Sequence, residues 1–238
     1  MKFLILNDQE IKRAQSERVD QEFTDLLQTH AGFTPLYIYE NYDFSSYEKE
    51  LGTDGDEHLT DRYLRNVLKP IYTKYKESID HVILQVHQDN WHLTGIWGTN
   101  YSNVYHGYQV HVCRFDTGNV ANSLGTRYHE FMHSPDAIIK TYLGIDIAKL
   151  IGVPSWDKFC VHGGRPDMVG KYPYQYIRYK ENTDALAFSA VYLRQAYKKR
   201  HDLYDIQRIT MQTKLIGILQ ELVILYRQLI YKKSTINK

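Results

Sequence analysis

The sequence has little of what would place it in several common classes of protein. Its 238 residues include only two cysteines, Cys113 and Cys160, too few for a disulfide framework. The 29 basic and 28 acidic residues leave a formal net charge of +1, which gives no electrostatic reason to expect nucleic acid as a partner. The most apolar stretch, residues 215–231, is interrupted by Glu221 and Arg227, so we expect no membrane span.

The first residues also lack the pattern of a secretory leader. The four apolar side chains of the opening hexapeptide are followed by polar residues from Asn7, and this run is too short for a signal peptide. The sequence therefore allows two locations: the cytoplasm, or secretion after removal of a leader. A content of 43% hydrophobic and 24% charged residues is that of a folded globular chain.

The local patterns predict an α+β fold with a small mixed sheet. Residues 81–87 form an apolar, β-rich run typical of a buried strand. Residues 90–108 contain three glycines and predict a loop. Residues 108–116 alternate between two faces, which predicts a strand at the edge of the sheet, where an extended substrate can pair with it. A helix is expected to begin near Asn119 or Asn122.

The C-terminal part is expected to be helical. One helix is predicted from about Glu181, and a second, amphipathic helix from about Tyr204 to the C-terminus. Residues 1–203 would then form the main domain, and residues 204–238 a helix that packs on that domain or forms a homo-oligomer. The basis is a set of apolar residues at heptad-like spacing: Leu215, Ile218, Leu222, Leu225 and Leu229.

One motif in the sequence indicates a metal-binding and catalytic site. His129-Glu130-Phe131-Met132-His133 matches the pattern H-E-x-x-H, which chance produces about 0.02 times in such a sequence. On a helix the two histidines lie one turn apart, so both imidazoles can reach one Zn²⁺ ion. Glu130 then lies beside the open metal position, where it can take a proton from a zinc-activated water. The alternative is an amphipathic helix with two incidental histidines.

A catalytic zinc site needs a third ligand. The extended motif of the metzincins would place Gly at 136 and His or Asp at 139, but the sequence has Asp136 and Ile139, which disfavours that class. Asp136 is one candidate for the third ligand. Because Ser134 can cap a new helix that begins at Pro135, Asp136 is also expected to accept hydrogen bonds at that helix start.

Residues 124–190 resemble the gluzincin clan of zinc metallopeptidases. The similarity is greater to the anthrax-lethal-factor-like and Mlc-titration-factor-like families, whose active helix commonly reads H-E-F-x-H-x-x-D. That pattern is matched by His129, Glu130, Phe131, His133 and Asp136. In those families a glutamate follows in a helix of the type E-x-x-A-x-x-F, and residues 181–188 are similar to it.

The resemblance implies that Glu181 is the third zinc ligand and that a tyrosine upstream, here Tyr174, stabilises an oxyanion. The sequence departs from the wider clan four residues after the glutamate, where Ala185 stands in place of an acidic partner. Asp184 lies one residue earlier, so the choice between Glu181 and Asp184 stays open.

The expected function is therefore that of a zinc metallopeptidase acting on a peptide or protein substrate. His129, His133 and Glu181 are predicted to hold Zn²⁺, and Glu130 to act as general base towards the water. Two alternatives remain. One is a zinc amidase acting on cell-wall peptides, with the same metal chemistry. The other is a non-enzymatic helical interaction module with incidental histidines.

The ligand assignment predicts an order of zinc affinities. Glu181→Ala is expected to weaken zinc binding more than Asp136→Ala, with Asp184→Ala between them or milder. A carboxylate that binds the metal contributes more to zinc affinity than a carboxylate that only orients a ligand. Loss of an orienting carboxylate lowers metal affinity by about 10–100-fold. Competition with a chelator measures the order. If Asp136→Ala releases zinc while Glu181→Ala retains it, Asp136 is the ligand.

Overall fold

A computed structural model describes residues 1–53, 55–94, 96–105, 108–157 and 174–236, without the side chains of residues 77, 102–105, 174–184 and 224–236. The chain divides into two compact units, Met1–Tyr197 and Lys198–Lys238. The secondary structure is mixed α/β with a small main sheet and a helical C-terminal part, as predicted. The domain boundary at residue 203 stays a prediction.

Among the described residues, two α-helices lie between strands and the other α-helices follow the last strand. The strands are β1 Lys2–Asp8, β2 Leu36–Tyr42, β3 Lys49–Leu51, β4 Glu57–Leu59, β5 His81–His87, β6 Gly98–Tyr105 and β7 Tyr108–Phe115. The helices are α1 Arg13–Ala31, α2 Asp61–Tyr75, α3 Val120–Met132, α4 Ser134–Leu143, α5 Ile147–Ile151 and α6 Tyr174–Ile236.

Five of these strands form the main sheet, in the order β2-β1-β5-β7-β6. The first four run parallel, and β6 runs antiparallel to β7. Strands β3 and β4 form a separate antiparallel pair. The parallel strands need crossover connections, and α1 and α2 supply them between β1 and β2 and between β2 and β5.

The central strands are apolar almost throughout because both faces of the sheet are covered. Successive side chains of a strand point to opposite faces. In β1, Phe3 and Ile5 therefore pack into a core with α1, α3 and the start of α6, whereas Leu4 and Leu6 pack into a second core with α2. All seven residues of β5 are buried, which confirms the strand predicted for residues 81–87.

The edge of the sheet lies one strand further out than predicted. The strand predicted over residues 108–116 exists as β7, but it pairs with β5 on one side and β6 on the other, so it is not an edge strand. Strand β6 comes from the segment predicted to be a loop. Gly98, Asn100 and Asn103 lower the strand propensity of this segment, and its backbone pairs with β7.

The C-terminal part differs from the prediction of two helices, because α6 runs without a break from Tyr174 to Ile236. Leu215, Ile218 and Leu222 are each more than half exposed in the single chain. Their burial against a partner helix stays a prediction. None of the helices in the described residues is both long and apolar enough to cross a membrane.

A buried chain of hydrogen bonds crosses the sheet beneath α3. The amide Nδ2 of Asn100 lies 2.9 Å from His111 Nδ1, His111 Nε2 lies 2.9 Å from His81 Nδ1, and His81 Nε2 lies 2.5 Å from the Tyr197 hydroxyl. Because Asn100 donates to Nδ1 of His111, a neutral His111 carries its proton on Nε2 and donates it to His81. A neutral His111 thus has a hydrogen-bond partner on each ring nitrogen.

This burial predicts a loss of stability in mild acid. Burial lowers the pKa of His111 from 6.5 to about 3; a hydrogen bond to the backbone of Glu130 opposes this shift, and His133 and Arg127 add smaller decreases. Below about pH 6.5, His111 binds a proton in the unfolded chain but stays unprotonated in the folded chain. The free energy of unfolding should then fall by up to about 1.4 kcal/mol per pH unit between pH 6 and 4, a slope measured by urea unfolding.

His111→Gln is the matched control, since its amide can still donate towards His81 but does not titrate. The free energy of unfolding should depend less steeply on pH in the variant than in the natural chain, by the contribution of about one proton. Equal slopes for the two proteins would show that His111 is not responsible.

Candidate metal centre

The H-E-x-x-H motif lies at the C-terminal end of α3. The helix begins after Asn119, whose side chain accepts a hydrogen bond from the backbone N–H of Asn122 at 3.1 Å, so one of the two predicted starts is confirmed. His129 and Glu130 are in its last turn. His133 follows the helix but keeps helical dihedral angles of φ −69° and ψ −24°, which preserves the one-turn spacing of the two histidines.

The rotation of α3 about its axis is fixed by what it buries. Arg127 is fully buried and donates to the carboxylate of Asp20 on α1 and to the side-chain carbonyl of Gln85 on β5. Tyr128 and Phe131 pack into the core beneath the helix. Since these residues face inward, His129 faces away from the sheet.

Three side chains converge at this helix end. One candidate ligand atom from each of His129, Glu130 and His133 lies within 4.8 Å of the others. The two imidazole rings are 5.0 Å apart between centroids and nearly perpendicular, and His129 Nε2 lies 4.0 Å from Glu130 Oε1. Among the described residues, these three form the one cluster of His, Cys, Asp or Glu side chains that could hold a metal ion.

The members of this group differ in their access to solvent. The side chains of His129 and His133 are 22% and 18% exposed, whereas that of Glu130 is 4% exposed. Burial raises the pKa of Glu130 to about 7, and the charge of His133 acts in the opposite direction. The site therefore presents two accessible imidazoles next to a carboxyl group that is largely shielded from water.

Strand β6 closes one side of the site. The amide Nδ2 of Asn100 lies 3.1 Å from the backbone carbonyl of Glu130 and 3.3 Å from the hydroxyl of Ser134. Gly98 lies directly against the Glu130 side chain. These contacts could not be predicted from sequence, because the segment that contains Gly98 and Asn100 was predicted to be a loop.

A second contact missed from sequence involves Asp157. Its carboxylate Oδ1 lies 3.1 Å from His133 Nδ1. The neighbouring Trp156 is buried and donates from its indole N–H to the backbone carbonyl of Met132 at 2.8 Å. Trp156 thus ties the segment that bears Asp157 to the end of α3.

Asp136 lies outside the group of His129, Glu130 and His133. It occupies the first turn of α4 and lines a cavity of about 480 Å³ together with Asp146, Lys149 and Trp156. Burial, and then the nearby Asp146 carboxylate, raise the pKa of Asp136. Ser134 is the first residue of α4 and not its N-cap, and its buried hydroxyl is near Asn100, so the predicted cap is wrong by one residue.

The remaining predicted site residues lie outside the described side chains. Glu181, Asp184 and Tyr174 fall on the first turns of α6, for which the backbone alone is described. The third ligand and the oxyanion-stabilising tyrosine therefore stay predictions.

The donor set fits zinc as far as it is described. Two imidazoles one helical turn apart are common zinc ligands, and a carboxylate beside them is the usual proton acceptor of such a site. His133 also has the carboxylate partner on its second ring nitrogen that metal-binding histidines commonly have.

Comparisons with known proteins give no match for this chain. No protein-family model, no curated protein sequence and no solved structure is significantly similar to it.

The contact between His133 and Asp157 predicts a moderate effect on metal binding. Asp157→Ala should weaken zinc affinity by about 10–100-fold, because His133 loses the group that orients its ring and raises its basicity. Asp89→Ala is a matched control, since Asp89 is also an exposed aspartate next to a histidine, His87, at 3.6 Å. Zinc affinities from chelator competition that are equal for the two variants would contradict this role for Asp157.

Proposed function

We propose that this chain is a zinc-dependent peptidase. The observation that carries the proposal is the convergence of His129, Glu130 and His133 at one helix end, with the imidazoles accessible and the carboxyl group buried. Incidental histidines on an amphipathic helix do not require a buried glutamate between them. The free energy of burying Glu130 is unfavourable, and a functional role accounts for it.

His129 and His133 would hold the metal from α3, and Glu181 is the proposed third ligand. When bound, zinc supplies Lewis acidity, which makes a water molecule more acidic and a carbonyl oxygen more electrophilic. Asp157 would orient the His133 ring through its contact with Nδ1. The buried Arg127 keeps the histidine-bearing face of α3 directed outward.

Glu130 would act as the general base. It accepts a proton from the attacking water and later returns the proton to the leaving amine, so one carboxyl group serves both halves of peptide hydrolysis. The burial that raises its pKa also removes competing water, which strengthens its interactions with the reacting groups. A bound cation next to Glu130 would favour its ionised form.

The substrate is proposed to be an extended peptide. In the described part of the chain, β6 is the sheet edge next to α3, and its outer side pairs with no other strand. A peptide added there would run beside the metal centre. Strand β6 thus takes the role first predicted for residues 108–116.

Two experiments separate the alternatives. Purified protein that contains no zinc, and that binds none when zinc is added, would favour the non-enzymatic interaction module. A screen with linear peptides and cell-wall peptides, each with and without chelator, would separate the peptidase from the amidase, since both share the metal chemistry.

Replacing the general base gives the main test of the proposal. Glu130→Gln should retain zinc and lose at least about 10²-fold in kcat, because the amide has nearly the same shape but cannot accept the proton of water. Glu22→Gln on the exposed side of α1 is the control and should keep full activity. A zinc-loaded Glu130→Gln variant with full activity would remove Glu130 from the mechanism.

A further inference from the structure

Gly98 leaves space for the carboxyl group of Glu130. A Cβ atom on Gly98 would lie 2.6 Å from Glu130 Oε1, 2.8 Å from its Cγ and 2.9 Å from its Cδ. Separations this short are well inside van der Waals contact. Any other residue at this position would have to displace the Glu130 side chain or move one of the two elements apart.

The elements on both sides are held in place. Gly98 is in register with Cys113 on β7, and the neighbouring carbonyl of Trp97 accepts a hydrogen bond from the backbone N–H of Arg114 at 2.9 Å. Across the site, Asn100 binds the backbone carbonyl of Glu130 at 3.1 Å. Because strand β6 is fixed to β7 and to the end of α3, the Glu130 side chain is the part that would yield.

The backbone of Gly98 does not itself require glycine. Its φ lies outside the left-handed region, unlike those of Gly32, Gly55, Gly144 and Gly152. An alanine could therefore adopt the strand conformation at this position without strain. The requirement for glycine comes from the neighbouring Glu130 side chain, which supplies the three nearest atoms.

We propose that Gly98 is a positioning residue for Glu130. Because Gly98 has no side chain, it leaves the space that the Glu130 carboxyl group occupies. The catalytic consequence rests on the proposed function, whereas the steric contact does not. Gly98→Ala would turn the Glu130 carboxyl group away from its position between α3 and β6. The histidine pair would be left intact.

The test is a double-mutant cycle on the full-length chain, read out by the midpoint of urea unfolding. Gly98→Ala is made in the natural chain, in Glu130→Gln and in Glu130→Ala. The loss in midpoint should be similar in the natural and Glu130→Gln backgrounds, since the two side chains have the same shape. It should disappear in Glu130→Ala, where the atoms that clash have been removed.

Gly118→Ala is the matched control, because a Cβ there would meet its nearest neighbour, Asp116 Oδ1, at an ordinary 3.9 Å. Its effect on the midpoint should be independent of residue 130. An equal loss for Gly98→Ala in all three backgrounds would overturn the proposal. If Gly98→Ala is insoluble in the natural chain but soluble in combination with Glu130→Ala, the steric contact is supported. Insolubility of Gly98→Ala in both the natural chain and the Glu130→Ala background would overturn the proposal.

Activity and metal content complete the test. Gly98→Ala should retain the zinc content of the natural chain and lose about 10²-fold in kcat, as expected when a catalytic group is misplaced by about 1 Å. Full kcat in a variant that shows the steric coupling would overturn the positioning role. If the natural chain has neither zinc nor peptidase activity, the proposed function fails, and the unfolding cycle still decides whether Gly98 positions Glu130.

Discussion

The buried ion pair between Arg127 and Asp20 is the interaction on which the rest of the site depends. Both side chains are almost fully buried, and Gln85 and Tyr39 complete the network by binding Arg127 and Asp20 respectively. Removing one partner of such a pair typically costs about 3–5 kcal/mol, because the other charge is left uncompensated. The pair therefore fixes α3 against α1 and β5. With Arg127 directed inward, His129 two residues later is directed outward.

The end of α3 is held from two further sides. Strand β6 reaches the backbone of Glu130 through Asn100 and leaves space for its carboxyl group at Gly98. On another side Trp156 binds the carbonyl of Met132, and Asp157 binds the ring of His133. Asn100 and Gly98 act on Glu130, Trp156 acts on Met132, and Asp157 acts on His133, so separate contacts position the carboxyl group and the His133 imidazole. This is the rigidity that a preorganised site requires.

In the proposed mechanism, the environment of the motif separates metal binding from proton transfer. The accessible histidines can exchange a metal ion with solvent, whereas Glu130 is enclosed between α3 and β6. Desolvation alone keeps its pKa high, near the pH at which a general base works best. The same sheet carries the hydrogen-bond chain from Asn100 through His111 and His81 to Tyr197, which pairs these buried polar groups with one another.

The sequence by itself determined what depends on local spacing. The one-turn spacing of His129 and His133, a start of α3 near Asn119 or Asn122 and the buried strand β5 were all predicted, because helix and strand periods and capping side chains act over a few residues. Only the tertiary structure decided that β7 is internal, that β6 forms the edge, and that Gly98 and Asp157 contact Glu130 and His133. These contacts join residues distant in the chain, and a glycine or an exposed aspartate has no local pattern that reveals its partner.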